Sequence, residues 1–235
     1  MKQVFRVFWG CTLAVALALT GCGRGGAPGS SGAGSMSGSG SGAMSGGTAG
    51  QEQAWRTGLG VVTEAAGSDR AGKITTAAAA VVLDADGINA LAGHMDEWER
   101  RRGRVTVLTP HEGEFLRVGG DLSQGRTAAA EDFARRSGAV VVLKGPGTVV
   151  AGPDGRCRVN TTGNCGMAKG GSGDVLSGVV LALLGLGMDA FDACCCAVWL
   201  HGRAGDLAAQ EKGQWGMTPT DLLERLPQAL REVTE

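Results

Sequence analysis

The stretch AAAAVVLDAD, residues 77–86, decides the fold class of this chain. Seven apolar residues without polar alternation indicate a short strand buried on both faces, with two aspartates directly at its carboxyl end. The same pattern occurs twice more: residues 105–108 precede Thr109-Pro110-His111, and residues 139–143 precede Lys144. Buried strands that end in polar side chains are typical of a parallel sheet whose ligand binds at that edge.

Helical patterns lie between these strands and after them. Helices are predicted between the strands at residues 88–101 and 127–136, and residues 149–160 are predicted to form a hairpin. Three further helices are predicted at residues 174–186, 191–210 and 219–232, the last capped by Thr218 or Thr220. This order predicts an α/β domain of three layers, in which helices cover both faces of a doubly wound, mostly parallel sheet.

Glycine is unevenly distributed along the chain. The 235 residues include 42 glycines, and 12 of these fall between Gly23 and Gly50, together with seven serines and one charged residue, Arg24. Such a tract has too little apolar surface to offset the chain entropy that folding costs. We therefore predict a disordered Gly/Ser-rich linker over residues 23–56 and one folded domain over residues 57–235.

The first 22 residues have two interpretations. Lys2 and Arg6 precede 13 uncharged residues, 7–19, a run too short to span a bilayer as a helix. Leu19-Thr20-Gly21-Cys22 resembles a bacterial lipoprotein processing site. Residues 1–22 are therefore either a lipoprotein signal, with Cys22 as the lipid anchor, or a divergent first helix of the domain.

The cysteines of the domain favour the cytoplasm. Cys157, Cys165 and the run Cys194-Cys195-Cys196 contain no CxxC spacing, and a helix would point the three consecutive thiols in different directions. They are predicted to be small buried apolar residues in a reducing compartment. The formal net charge of -1 provides no basic surface for nucleic acid. We predict a cytoplasmic protein without a nucleic-acid partner, the alternative being a lipoprotein held at the membrane.

Residues 170–174, with the sequence GGSGD, carry the clearest chemical signal. Glycines let backbone amides approach a ligand, and the helix that follows adds its own unpaired N–H groups, so the loop can cradle a phosphate. A carboxylate beside a phosphate site can take the proton from an attacking hydroxyl, which makes Asp174 a candidate base. The structural alternative is that Asp174 only caps its helix.

Five motifs in chain order resemble those of the NAD(P)H-hydrate dehydratases, which are members of the ribokinase-like superfamily. NCGMAKGGSGDVLSG, residues 164–178, is similar to the NPGLATGGSGDVLAG signature of that family. The other four are LDADGIN at 83–89, TPHEGEF at 109–115, KGPGT at 144–148 and LHGRAGD at 200–206. They are similar to LDADALN, TPHPGEF, KGAGT and LHGLAGD of the family.

The resemblance implies a ribokinase-like fold and an enzyme that dehydrates hydrated NADH or NADPH, the S epimer, with ADP or ATP as phosphoryl donor and Mg²⁺ as cofactor. It implies that Asp174 is the catalytic base and contacts the substrate together with His111 and Gly60. The nucleotide-binding residues that it implies are Lys144, Gly145, Pro146, Gly147, Thr148, Gly171 and Gly173. Asn89 and Glu114 stand where the superfamily organises magnesium through the phosphates.

The chain departs from the family pattern in two places. Only Thr57-Gly58-Leu59-Gly60 resembles the family's GPGLG loop, and the first strand–helix units of the family have no clear counterpart. A sheet shortened at one side exposes an unpaired edge, which favours a homo-oligomer. Lys169 replaces a small residue of the family and is expected to reach either a phosphate or solvent.

Several alternatives stay open at this point. The chain could act as a small-molecule kinase of the same superfamily, or it could be an inactive nucleotide-binding relic. His201 is predicted to be a packed histidine rather than a catalytic one. Asp84 is either a functional acid or a sheet-edge carboxylate that caps a turn.

Overall fold

A computed structural model describes residues 59–62, 80–93 and 101–235 of the chain. The predicted signal or first helix at residues 1–22, the linker at 23–56 and the missing first strand–helix units all lie outside the described residues.

The described strands form one mixed sheet. They are β1 (Leu59–Val62), β2 (Ala80–Leu83), β3 (Val105–Leu108), β4 (Val140–Leu143), β5 (Val149–Ala151) and β6 (Cys157–Val159), and their order in the sheet follows their order in the chain. Strands β1 to β4 are parallel, whereas β4–β5 and β5–β6 are antiparallel pairs. The predicted strands at 105–108 and 139–143 and the predicted hairpin are therefore confirmed.

The register of the parallel strands brings the chemistry to one edge. Leu83, the last residue of β2, pairs with Leu108, the last residue of β3, and β4 continues the parallel ladder. The residues that follow these strands, among them Asp84 and Lys144, therefore meet at the same carboxyl edge of the sheet.

Six helices accompany the described strands. They are α1 (Asp86–Asn89), α2 (Glu112–Arg117), α3 (Arg126–Ser137), α4 (Ser172–Gly185), α5 (Ala190–Gly216) and α6 (Pro219–Thr234). The predicted helices at 127–136, 174–186, 191–210 and 219–232 are confirmed, and Thr218 caps α6 by accepting from the Asp221 N–H. No helix among the described residues has the length and apolar character needed to cross a bilayer.

The prediction of a helix over residues 88–101 was wrong in the part that the structure describes. Helix α1 ends at Asn89, and residues 90–93 form turns. Gly93 adopts a left-handed conformation with φ of 81°, and such a glycine ends a run of helical backbone at little cost. The spacing of charged and apolar residues predicts a long helix, but it contains no information about where the backbone leaves the helical conformation.

Side chains that alternate along the strands build two hydrophobic layers. Val81 and Leu83 of β2 pack into a cluster with Phe115 of α2 and Phe133 of α3. Val82, between them in the chain, packs on the other face with residues of α4 and α5. Because successive strand residues point to opposite faces, a sheet that is apolar throughout must be covered on both sides. The predicted three-layer α/β architecture is thus confirmed.

Candidate active site

An ion pair between Asp84 and Lys144 occupies the carboxyl edge of the sheet. Lys144 Nζ lies 2.7 Å from Asp84 Oδ1, and the Ser177 hydroxyl donates to Asp84 Oδ2 over 2.8 Å. Asp84 follows β2, Lys144 follows β4 and Ser177 belongs to α4, so one carboxylate joins two strands of the sheet to the helix above them. Asp84 is only 2 % exposed.

The environment keeps the Asp84 carboxylate ionised. Burial alone would raise its pKa, but attraction to the Lys144 ammonium and hydrogen bonds from Lys144 and Ser177 outweigh this effect, so the pKa lies below its usual range. Glu114 Oε2 lies 3.9 Å from the same ammonium. The buried carboxylate therefore holds the lysine charge at the sheet edge, with the Lys144 side chain itself 23 % exposed.

Strained backbone follows Asp84 directly. Ala85 has φ of 45° and ψ of -117°, and it is the one non-glycine residue with positive φ among the residues that the structure describes. Its N–H donates to Asp84 Oδ1 over 3.0 Å. Residues with a Cβ are rare in this region, and such strain is characteristic of functional sites. Asp84 thus caps a local turn, as one interpretation of the sequence expected, and also pairs with Lys144.

The GGSGD loop begins helix α4 beside the ion pair. Gly171 is the N-cap residue, with φ of 94°, and Asp174 lies in the first helical turn with its side chain exposed. A Cβ placed on Gly173 would lie 3.4 Å from both Asp84 Oδ2 and Lys144 Nζ. The amino end of a 14-residue helix and a lysine ammonium therefore lie next to each other, an arrangement that attracts anions.

Lys169 points away from this anion site. Its Nζ donates to the carbonyl oxygens of Gln214, Trp215 and Met217 at distances between 2.5 and 3.3 Å, and so caps the carboxyl end of α5. Of the two expectations for Lys169, a phosphate or a solvent contact, the structure favours solvent, since the residue is exposed although its ammonium also binds these carbonyls. Gly213 breaks the helical backbone of α5 with φ of 70° and ψ of 157°, and the three carbonyls lie beyond this break, where they accept from the ammonium.

The LHGRAGD motif holds the loop that leads to α4. Asp206 accepts hydrogen bonds from the Gly163 N–H at 2.9 Å and from Asn164 Nδ2 at 3.0 Å. Gly202 faces Thr162 so closely that a Cβ would lie 2.7 Å from its backbone. This motif therefore supports the loop by packing and hydrogen bonding. The sequence placed Asp206 in the LHGRAGD motif but did not reveal this supporting role.

His201, in the same motif, is half-buried and neutral. Its Nε2–H donates to the carbonyl oxygen of Ser172 over 2.8 Å, which ties α5 to the first turn of α4. Burial lowers the pKa of His201 to about 4, and the Lys144 charge adds to the effect. The prediction of a packed, hydrogen-bonded histidine is confirmed.

His111 lies at the start of α2, next to Lys144. The Lys144 N–H donates to the Pro110 carbonyl over 2.8 Å. His111 Nδ1 accepts from the N–H groups of Gly113 and Glu114, and Glu114 Oε2 accepts from the His111 N–H. With Nδ1 acting as acceptor, the neutral ring carries its proton on Nε2. The side chain of His111 is 57 % exposed, so it can face a ligand at this edge.

The two residues predicted to organise magnesium have other partners. Asn89 Oδ1 accepts from the Arg117 guanidinium, and Asn89 Nδ2 donates to Asp86 Oδ1 over 3.2 Å. Glu114 Oε2 accepts a hydrogen bond from the His111 N–H and lies 3.9 Å from Lys144 Nζ. Within the described ranges no three His, Cys, Asp or Glu side chains gather as metal ligands. The pair therefore does not fit a metal bound directly to protein oxygens.

The KGPGT segment forms an exposed loop between β4 and β5. Gly145, Pro146 and Gly147 are exposed, and the Thr148 hydroxyl donates to the Gly145 carbonyl over 3.1 Å. Gly60, which the resemblance assigned to a substrate loop, instead lies within β1, where it pairs with Val81. A glycine in that strand would let a ligand approach the backbone closely. The interpretation of residues 57–60 as a loop was wrong at Leu59 and Gly60, which belong to β1.

The three-layer α/β fold places the amino end of α4 beside a lysine at one sheet edge, and proteins of this class bind their ligands at that edge. The family described as NAD(P)H-hydrate dehydratase matches residues 48–228, and the chain belongs to this family.

Curated relatives share the central part of the chain. A bifunctional NAD(P)H-hydrate repair enzyme of Thermofilum pendens is 46 % identical over 159 residues, which are 66 % of this chain and 30 % of the relative. An ADP-dependent (S)-NAD(P)H-hydrate dehydratase of Neisseria meningitidis is 41 % identical over 167 residues, which are 68 % of this chain and 56 % of the relative. The matched part of the chain thus spans 30 % of the length of the first relative and 56 % of the length of the second.

Solved structures show the same fold. The ADP/ATP-dependent NAD(P)H-hydrate dehydratase of Bacillus subtilis, co-crystallised with ATP and Mg²⁺, matches with a TM-score of 0.64 and 32 % identity over 78 % of this chain and 70 % of that one. A ribokinase-like protein of Enterococcus faecalis matches with a TM-score of 0.60 at 24 % identity, a likeness of fold alone.

Proposed function

We propose that this chain dehydrates the S epimer of hydrated NADH or NADPH to the intact cofactor, with ADP or ATP as the phosphoryl donor. The observation that carries the proposal is the position of Asp174. It is an exposed carboxylate in the first turn of α4. The residue directly before it, Gly173, lies against the Asp84–Lys144 ion pair. A base, helix amides and a fixed cation at one sheet edge are the groups that phosphoryl transfer requires.

The proposed reaction has two steps. Asp174 accepts the proton of the ring hydroxyl while that oxygen forms a bond to the terminal phosphorus of the nucleotide, and the bridging P–O bond of the nucleotide breaks. The phosphate then leaves with the ring oxygen, and the neighbouring ring carbon loses a proton, so that the double bond of the reduced nicotinamide is restored. The net change is loss of water from the ring, with ADP or ATP shortened by one phosphate.

Each side of the site has a proposed role. The amides of Gly171 and Gly173 bind phosphate oxygens, and the nucleotide lies along Lys144, Gly145, Pro146, Gly147 and Thr148. An ammonium has three N–H bonds, so Lys144 can donate to a phosphate while Asp84 accepts one of them. His111, exposed beside Lys144, contacts the hydrated dinucleotide, and Gly60 remains proposed for the same site through its backbone.

Magnesium is proposed to bind together with the nucleotide. Since Asn89 and Glu114 have protein partners, we place the ion on the phosphate oxygens, where it offsets the charge of the transferred group. The B. subtilis relative was crystallised with ATP and Mg²⁺.

The proposal is tested with purified protein, hydrated NADH, Mg²⁺ and either ADP or ATP. We expect the near-ultraviolet absorbance of the reduced nicotinamide to return, with one inorganic phosphate released per turnover. Release of a stable phosphorylated product without that absorbance indicates the alternative, a small-molecule kinase. A nucleotide-binding relic would show no turnover. Even this relic should melt at a higher temperature with nucleotide, since a ligand at 100 times its Kd adds about 2.7 kcal/mol to stability.

The cellular location and the assembly state belong to the same proposal. We place the protein in the cytoplasm, where its substrate forms, and keep a lipid anchor at Cys22 as the alternative. Labelling of cells with palmitate separates these two outcomes, and a Cys22→Ser variant is the control. Light scattering measures whether the protein forms the homo-oligomer that a shortened sheet would favour.

A further inference from the structure

Arg126, at the start of helix α3, contacts the backbone of the KGPGT loop. Its Nη2 donates to the carbonyl oxygens of Leu143 and Lys144, both at 3.0 Å, and its Nη1 donates to the carbonyl oxygen of Pro146 at 2.5 Å. One guanidinium thus binds three carbonyl oxygens within four consecutive residues. The planar fork of an arginine can do this, whereas a lysine ammonium has no comparable geometry.

The guanidinium also has an acidic neighbour. Arg126 Nε lies 3.3 Å from Glu112 Oε1, at the start of α2, in an ion pair without a hydrogen bond. Glu112 stands where the TPHPGEF segment of the family has proline, so this ion pair is a feature of the present chain. Gly145 packs directly on Arg126, because a Cβ at Gly145 would lie 2.6 Å from Nη2. The contact between loop and guanidinium therefore leaves no space for a side chain.

The direction of the three carbonyls determines the direction of the amides. A trans peptide group is planar, so its C=O and the N–H of the next residue point to opposite sides. No described peptide bond is cis. The N–H of Lys144, which follows the Leu143 carbonyl, indeed donates away from Arg126, to Pro110. By the same geometry the N–H groups of Gly145 and Gly147 point away from Arg126.

We infer that Arg126 is a positioning residue for the nucleotide, because it collects the loop carbonyls on one side and presents the amides of Gly145 and Gly147 on the other. The inference rests on the proposed function, which places the nucleotide on this loop. A phosphate is repelled by carbonyl oxygens and bound by N–H groups, so a loop that could turn its peptides over would bind more weakly. Arg126 prevents that rotation without contacting the ligand.

The test compares three variants by calorimetric titration with Mg²⁺–ADP and by steady-state kinetics. Arg126→Met removes the fork and the charge, and Arg126→Lys keeps the charge. Arg135→Met is the control on the same helix, since Arg135 is exposed and forms an ion pair of 3.8 Å with the exposed Asp132. We expect both Arg126 variants to bind ADP at least about tenfold more weakly than wild type and to have a KM for nucleotide that is higher by a similar factor. In both Arg126 variants the KM for hydrated NADH should stay within about twofold of wild type. The Arg135→Met variant should keep its ADP affinity and both KM values within the same range.

The outcomes separate the inference from the function on which it rests. If Arg126→Lys binds ADP as wild type does, the charge alone matters and the positioning role is overturned. Equal losses in the KM for both substrates would also overturn it, since they indicate general disruption of the fold. If Arg126→Met does not fold, Arg126→Lys carries the comparison alone. A wild-type protein that binds neither ADP nor ATP contradicts the proposed function itself.

Discussion

Lys144 and Asp84 are 60 residues apart in the chain, yet the lysine Nζ lies 2.7 Å from the aspartate Oδ1. The pair spans the end of β3, because β2 and β4 flank that strand in the sheet. Removing the aspartate leaves a half-buried ammonium without its main counter-charge.

We therefore expect Asp84→Asn to reduce both activity and stability. Breaking a buried ion pair from one side costs about 3–5 kcal/mol, and partial exposure of Lys144 reduces this to about 2 kcal/mol. The free energy of unfolding is measured by urea titration, and kcat/KM with hydrated NADH should fall at least about tenfold. The control is Asp86→Asn, since Asp86 is exposed two residues away. Equal effects of both substitutions would contradict a special role for the pair.

Asp174→Asn tests the proposed base. The side chain is exposed and the substitution is isosteric, so folding and nucleotide affinity should change little. Loss of a positioned general base lowers turnover by about 10²- to 10⁴-fold. Single-turnover kinetics and ADP titration measure the two effects separately, with Asp132→Asn on α3 as an exposed control. Turnover within a few-fold of wild type would falsify the base assignment.

Stability should depend on pH through His201. Its pKa falls from 6.5 to about 4 in the folded protein, so between these values the unfolded chain binds more protons than the folded one. Stability is therefore fully present above about pH 6.5 and is lost as the pH falls towards 4, by up to about 3 kcal/mol in total.

The variant His201→Gln isolates this contribution. Glutamine can still donate to the Ser172 carbonyl but does not titrate in this range. Urea titrations of both proteins between pH 4 and pH 7, about the range in which histidine titrates, should show a smaller slope for the variant. Parallel curves would show that His201 does not contribute to the acid sensitivity.

Ala85→Gly should stabilise the fold. Alanine at φ of 45° and ψ of -117° carries strain that glycine avoids. The strain costs about 1–3 kcal/mol, and the extra entropy of glycine in the unfolded chain cancels part of it, so a net gain of about 1 kcal/mol is expected. Thermal melting measures it. Ala90→Gly, at a right-handed helical position with φ of -64°, should be destabilising instead.

Lys169→Thr restores the type of residue that the related family has. We expect the free energy of unfolding to fall by about 1 kcal/mol, because the carbonyls at the end of α5 lose a cation. ADP affinity should change less than about threefold, since Nζ faces α5 rather than the phosphate loop. A large loss of ADP affinity with an unchanged melting temperature would instead indicate a direct phosphate contact.

The strands and the location of the chemistry were predictable from short apolar runs. Residues 105–108 were predicted as a strand and form β3 with the same bounds. The helix predicted over 88–101 was wrong in its described part, because α1 ends at Asn89 and the left-handed Gly93 closes the turns that follow, whatever the side-chain spacing around them. The motifs associate Asn89 and Glu114 with magnesium, but they do not contain the contact between Asn89 and the Arg117 guanidinium.

What the sequence determined by itself is the family, the α/β class and the edge at which the reactive residues gather, since apolar runs must be buried and parallel strands all end on the same side. Only the tertiary structure decided which of those residues interact: Lys144 with Asp84, Lys169 with the end of α5, and Arg126 with the carbonyls of the KGPGT loop. The reason is one of range. Hydrogen bonds and ion pairs act over about 3–4 Å, and distances of that size between distant segments follow from strand register and helix packing, which the motifs do not contain.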